Sequence, residues 1–381
     1  MRKAVAWGVV GAGLAVLGAC RGEDAEKTRE TGIAGNAAAG ANAPVGAELL
    51  GQPLSMRGVS LAGAEFAVDP FGKGNLPGTP GVHYHYPDPA FSKGYTSADY
   101  FLAKGMNTFR VPFRWERLQP VRNQPLNAAE LNRLTTTVNN LVAKGAYVVL
   151  DVHNYARYGT GVVGAEVPIA DFAEFWGRVA VEFKGNTKVV FALMNEPHDM
   201  PTEVWIEAAN AAIVSIRNTG ATNLILVPGN GWSGAHSFNA TFYGTSNAEA
   251  LLKIVDPKQY VAFEVHQHLD GDSSGKSATC VSETVGVERL QVFTEWLRKH
   301  RKKGFLGEFS GGSGAVCLKA ITNVVVYLEQ NKDVYVGWTY WAAGPAWDSY
   351  FTSLEPRGGV DTPQMISLQA HLSASVKASV K

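Results

Sequence analysis

Two glutamates carry the chemistry this sequence most directly suggests. Glu196 and Glu308 stand at the ends of short apolar runs, Val189–Glu196 and Phe305–Phe309. Other such runs end near Arg110, His153, His266 and Trp341, and Asn195 stands beside Glu196. Burying a lone carboxylate or guanidinium among apolar residues is costly, so this distribution points to one shared pocket. A purely structural explanation would need buried ion pairs, which rarely stabilise a fold on balance. Two carboxyls at such a pocket suit glycoside hydrolysis. One must hold a proton near neutral pH for the leaving oxygen, and the other must stay ionised to attack the anomeric carbon. Arg110 nearby would lower the pKa of the attacking group. A pyranose also needs a flat apolar surface. Trp341, Trp115, Trp232 and Trp347 are placed to provide one, whereas Trp176, Trp205 and Trp296 sit in helical stripes and read as core.

The elements that must position these groups alternate along the chain. Strands are expected at Gly58–Ala62, Thr108–Pro112, Tyr147–His153, Val189–Glu196, Leu224–Pro228, Tyr260–His266, Phe305–Phe309 and Tyr335–Trp341. Amphipathic stretches lie between them, among them Asn127–Lys144, Ile169–Phe183, Pro201–Asn218, Val287–Lys303 and Val316–Gln330. Continuous apolar strands separated by helices mean a parallel sheet buried on both faces. Eight such units suggest an α/β fold of the (β/α)₈ TIM-barrel type, with chemistry at the C-terminal strand ends; a doubly wound open sheet is the alternative. The basic run Arg298–Lys303 before Gly304 is read as the ordinary complement to a helix C-terminus and not as an anion site.

Composition narrows the class. The 381 residues carry 34 Lys+Arg against 34 Asp+Glu, which removes the electrostatic case for a nucleic-acid binder. With 46% apolar and 10% aromatic residues, most of the chain can build a large core. Met1-Arg2-Lys3 followed by the apolar Ala4–Leu17 has the pattern of an export signal. Leu17-Gly18-Ala19-Cys20 resembles a lipobox, with Cys20 lipidated; cleavage by a plain signal peptidase is the alternative. Arg21 differs from the aspartate of inner-membrane retention signals, so an outer-membrane-anchored or released form is implied. Residues 21–47 read as a flexible Ala/Gly-rich tether and residues 48–381 as one catalytic domain. Cys280 and Cys317 remain as an even pair and are expected to form a disulfide between two loops.

Seven ordered motifs resemble glycoside hydrolase family 5. They are Asn107–Phe113, Asp151–Tyr155, Met194-Asn195-Glu196-Pro197, Glu264–Gly275, Gly307-Glu308-Phe309, Trp338–Pro345 and Ser353–Pro356. The stretch Glu264–Gly275 and the region from Trp338 on are similar to subfamily 5, the endo-β-1,4-glucanases. The resemblance implies a retaining double displacement on a β-1,4-glucan, with Glu196 as acid/base and Glu308 as nucleophile. It implies that Arg110 keeps the nucleophile ionised and that Asn195 bonds the sugar 2-hydroxyl. His153 and His266 would frame the central subsite, Trp341 would be its platform, and Tyr155 would join Trp232, Trp347 and Trp115 in binding substrate. No cofactor, no metal and no nucleic acid is implied, and a monomer is expected whose membrane contact is a lipid at Cys20. Two departures stand out: His268 where the family has a tyrosine, and Ala346 before Trp347 where it has a second tryptophan.

Other patterns in the chain carry different readings. Gly229–Gly234 matches a dinucleotide fingerprint, but no helical period follows it, and it is expected to be a loop carrying Trp232. Gly271–Gly275 matches a nucleophile elbow without the helix that motif needs. His266 with His268, and His83 with His85, have the spacing of metal ligands on one strand face, so a zinc hydrolase is a second reading. An inactive carbohydrate-binding lipoprotein is a third.

Overall fold

The computed structural model describes residues 48–347 and 349–372. The expected export signal, Cys20 and the expected tether therefore lie outside the described residues. No helix among the described residues is long and apolar enough to cross a membrane.

Eight parallel strands close into a barrel. They are β1 Met56–Leu61, β2 Thr108–Phe113, β3 Tyr147–Val152, β4 Val189–Ala192, β5 Ile225–Pro228, β6 Val261–His266, β7 Gly304–Glu308 and β8 Tyr335–Ala343. Each pairs with its neighbours in chain order, and β8 pairs with β1 to complete the ring. The open-sheet alternative is thereby excluded. Outside the barrel run α1 Ser97–Ala103, α2 Ala128–Ala143, α3 Ile169–Phe183, α4 Thr202–Asn218, α5 Asn247–Ala250, α6 Val285–Lys299, α7 Ala315–Gln330 and α8 Pro363–Gln369. The Asn127 side chain caps α2 by accepting the Glu130 N–H at 3.0 Å.

Strand alternation sorts side chains into two cores. Phe109, Val111, Val148 and Leu150 face the helices, while Met56, Val149, Val190, Leu226, Ala262, Phe305 and Val336 fill the lower barrel. Above that apolar plug, the same inward rows turn polar: Val149 is followed by Asp151 and His153, Ala262 by Glu264 and His266.

Two expectations need correction. α6 ends at Lys299, four residues earlier than its period suggested. Arg301, at φ +53°, takes the left-handed position, and the Lys302 N–H reaches back to Leu297 O at 2.8 Å. Gly304 instead opens β7, where a Cβ would meet Leu297 at 2.6 Å and Phe293 at 2.9 Å. The cationic run is structural as expected, since Arg298 makes a two-pronged contact with Asp333 at 3.1 and 2.9 Å. The second correction concerns the disulfide. Cys280 and Cys317 are bonded, but Cys317 lies in the first turn of α7, so the bridge joins a loop to a helix.

Candidate active site

Arg110 is the hub. It is fully buried on β2, and donates from Nη1 to Glu308 Oε1 at 2.6 Å and from Nη2 to Asn195 Oδ1 at 2.7 Å. Nη2 also lies 3.1 Å from Asp151 Oδ2, and Nε 3.8 Å from Glu264 Oε1. A planar guanidinium with five donors is suited to joining four strand ends in this way.

Local irregularities aim the two glutamates. On β7, Leu306 faces the helices, and strict alternation would send Glu308 the same way. Between the pairs Val265/Leu306 and His266/Glu308 the register slips by one residue, and Glu308 meets Arg110 inside the mouth. β4 stops at Ala192, four residues short of the expected end, and Glu196 adopts φ +44°. That left-handed turn brings Glu196 onto His266, Nδ1 to Oε1 at 2.8 Å. One carboxylate oxygen from each glutamate and a His268 nitrogen all lie within 4.8 Å of one another.

The electrostatics divide the pair. Burial opposes charge on Glu308, but His266, Arg110 and the neighbouring His268 outweigh it and hold the carboxyl well below the ordinary range. Burial likewise opposes charge on His266, yet Glu308, Glu196 and Glu264 push its pKa up to about 10. The Glu308 side chain is 5% exposed and that of Glu196 is 15%, so Glu196 is the one with access to water.

The structure brings together Arg110, His153, Asn195, Glu196, His266, His268, Glu308 and Trp341. His153 Nδ1 lies 2.7 Å from Asp151 Oδ2, its Nε2 lies 3.2 Å from the Tyr155 hydroxyl, and its ring stacks with Trp341 at 5.5 Å. Burial raises the Tyr155 pKa well above its usual value, so its hydroxyl stays a donor. Trp347 meets the edge of Trp341 at 5.5 Å, and Trp232 meets Tyr155 at 5.8 Å. Trp115 is a correction. It is fully buried, stacks on Phe175 at 5.1 Å and donates to Gln119 at 2.9 Å, because it opens the helical turn Trp115–Leu118 that packs against α3. Trp176, Trp205 and Trp296 are core, as expected.

His268 stands where the departure placed it. Its Nε2 is 3.6 Å from Glu308 Oε2, and its Nδ1 is 2.8 Å from Ser310 Oγ. Neither histidine pair supplies both its members to a cluster of possible metal ligands among the described residues; the cluster at the mouth takes His268 with Glu196 and Glu308. His266 is engaged by Glu196 and Glu264, His268 by Ser310, and His83 Nδ1 accepts the Thr79 N–H at 2.9 Å. Gly229–Gly234 is a loop after β5 that presents Trp232, and no helix follows Gly271–Gly275 directly. Asp151, Glu264 and Ser310 were not singled out from the sequence. The signal was there, since each lies two residues from a chosen histidine or glutamate on the same strand row.

Residues 68–344 match the family described as cellulase (glycosyl hydrolase family 5). The chain belongs to glycosyl hydrolase family 5. Named relatives cover most of its length. Endo-beta-1,4-glucanase B of Emericella nidulans is 38% identical over 83% of this chain and 91% of its own. Endoglucanase 3 of Humicola insolens is 41% identical over 76% and 71%. Among solved structures, an endo-beta-1,4-glucanase of Xanthomonas axonopodis pv. citri superposes with a TM-score of 0.79 at 45% identity, covering 84% of this chain and 99% of that one. The Pseudomonas stutzeri endoglucanase in complex with cellobiose superposes with 0.74 at 36% identity, covering 84% and 95%. The barrel mouth described above is therefore the candidate active site of a chain that belongs to glycosyl hydrolase family 5.

Proposed function

We propose that this glycoside hydrolase is a retaining endo-β-1,4-glucanase cutting internal bonds of cellulose or a related β-glucan. Glu308 is its nucleophile and Glu196 its acid/base. The observation that carries the reading is the carboxylate separation. One oxygen from each carboxyl lies within 4.8 Å of the other, which favours the retaining separation of about 5–5.5 Å over the roughly 6.5–9.5 Å of an inverting pair.

Glu308, ionised between two cations, attacks the anomeric carbon while Glu196 gives its proton to the leaving oxygen. Water then enters, Glu196 takes a proton from it, and the glycosyl–Glu308 bond breaks with net retention. Asn195 supports the transition state. Its Oδ1 is occupied by Arg110, and its buried Nδ2 has no protein partner, leaving that amide to donate to the sugar 2-hydroxyl. His153, Tyr155 and Trp341 form the wall and floor of the central subsite. The names of the relatives and the Glu264–Gly275 motif favour β-1,4-glucan and subfamily 5. The disulfide suits an oxidising compartment, and with the N-terminal pattern it supports an exported protein tethered through Cys20, one catalytic domain after a signal and linker.

A substrate panel with wild type and Glu308→Gln tests this. Reducing ends should appear from cellulose derivatives ahead of xyloglucan, mixed-linkage glucan and mannan, and the variant should lose at least about 10³-fold in kcat. A β-anomer should be the first product by NMR. Cleavage surviving in Glu308→Gln, or an α-anomer appearing first, would overturn the mechanism.

A further inference from the structure

We propose that His268, with Glu196 and Glu308, forms an inhibitory site for a divalent transition-metal ion of the zinc class. The ion bridges the two carboxyls and shuts the cleft, and a chelator reopens it. The inference rests on the glucanase reading above and adds a means of regulation to the same site.

One possible ligand atom from each of the three residues lies within 4.8 Å of the others. His268 is 6% exposed, and its Nε2 faces Glu308 Oε2 at 3.6 Å, too far to close a hydrogen bond on it. A buried ring nitrogen is thus aimed at a carboxylate oxygen with room between them. Zinc at its ordinary bond lengths holds neighbouring ligand atoms about 3.4 Å apart in a tetrahedron. The His268–Glu308 edge is therefore close to the required size. The tyrosine that the family resemblance leads one to expect here would present a phenol that keeps its proton at neutral pH. An imidazole presents a nitrogen lone pair, so this chain gains a third ligand beside its two glutamates.

Each ligand is also held from behind. With Ser310 Oγ accepting from His268 Nδ1 at 2.8 Å, the ring proton is placed there and Nε2 keeps its lone pair. Arg110 occupies Glu308 Oε1 at 2.6 Å, and His266 occupies Glu196 Oε1 at 2.8 Å. The second oxygen of each carboxyl remains for the ion. Glu196, at 15% side-chain exposure, is the most accessible of the three and turns inward to close the set. Water takes the fourth position. On binding, Glu196 releases its proton to solvent. The dication then balances the excess of four carboxylates (Asp151, Glu196, Glu264 and Glu308) over the cations Arg110 and His266. An imidazole with two carboxylates favours zinc-class ions over magnesium, which prefers oxygen ligands alone. Seated between the two carboxyls, the ion stands where the glycosidic bond must lie and leaves the acid no proton to give.

The test titrates ZnCl2 into wild type, His268→Tyr and Ser310→Ala by calorimetry, with MgCl2 as the control ion. Zn2+ should bind wild type at least about 100-fold more tightly than His268→Tyr, and roughly tenfold more tightly than Ser310→Ala. Mg2+ should give no heat at the same concentrations. In hydrolysis of a soluble cellulose derivative, Zn2+ should inhibit wild type competitively, and EDTA should restore the rate. Each variant is compared with its own metal-free rate, and His268→Tyr should resist inhibition. Equal Zn2+ affinity in wild type and His268→Tyr overturns the inference, as does inhibition that substrate does not relieve. Either result leaves the glucanase reading standing. Calorimetry reads the site without turnover. A wild type that cleaves no glucan therefore overturns the functional reading and the inhibition, while Zn2+ binding lost in His268→Tyr still supports the site.

Discussion

His266 and Glu196 meet across the barrel mouth at 2.8 Å, Nδ1 to Oε1, while the other nitrogen of the same ring lies 3.3 Å from Glu264. One imidazole thus ties the carboxyl proposed as acid/base to a carboxylate buried deeper in the barrel. Against the burial that disfavours its charge, the surrounding carboxylates keep that imidazole protonated through neutral pH.

This charge has a stability signature. Unfolded, the histidine would titrate near pH ~6.5; folded, its pKa is about 10. The stabilisation is complete below the unfolded value and is lost as pH rises through the folded one. The wild-type melting temperature should therefore decline across that window more steeply than that of His266→Gln. Parallel melting curves for the two proteins from neutral to alkaline pH would remove the charged histidine from the account.

Arg110→Met leaves Asp151, Glu264 and Glu308 facing each other without their shared cation. Breaking such buried pairing costs about 3–5 kcal/mol, a melting shift on the order of 10 °C. The Glu308 carboxyl should also lose part of the support that holds its pKa low, so the acid limb of kcat/KM should move to higher pH. Thermal scans and pH–rate profiles read the two effects separately. Full stability with full activity would contradict the hub assignment.

His268→Tyr should raise or broaden activity near neutral pH. A phenol beside Glu308 stays a neutral hydrogen-bond donor across the neutral range. The pH–rate profile of the variant is the measurement, and a profile superimposable on that of wild type sinks the idea.

The disulfide closes a 37-residue separation that contains Glu308. Replacing both cysteines by serine should cost about 3–4 kcal/mol by the chain-entropy estimate. Denaturant melts with and without reductant provide the check. Reductant should destabilise wild type and leave the double variant where it is.

Much of this molecule was legible in its sequence, for identifiable reasons. Parallel strands buried on both faces leave uninterrupted apolar runs, so the starts of β2, β3, β4 and β8 were readable to the residue. Glu196 and Glu308 stood out because carboxylates are rare at the ends of such runs. Asp151 and Glu264 were passed over although each lies two residues from a chosen histidine; strand alternation would have found them. Trp115 misled because a tryptophan just past a strand end lies near the mouth in sequence, while its helical turn rotates it into the core. The slip that aims Glu308 depends on pairing with β6, and no pattern within β7 records it.

Gly307 has an unusual neighbour. A Cβ there would lie 1.9 Å from Glu264 Oε1, so the missing side chain is the socket that carboxylate occupies. Engineers who harden proteins by exchanging glycine for alanine gain where the backbone is compatible and space is open, as at Gly271, which lies outside the left-handed region with nothing within 4 Å. At Gly307 the same exchange would evict Glu264 and take His266 and Glu196 out of alignment. A library built to toughen this enzyme should treat that position as closed.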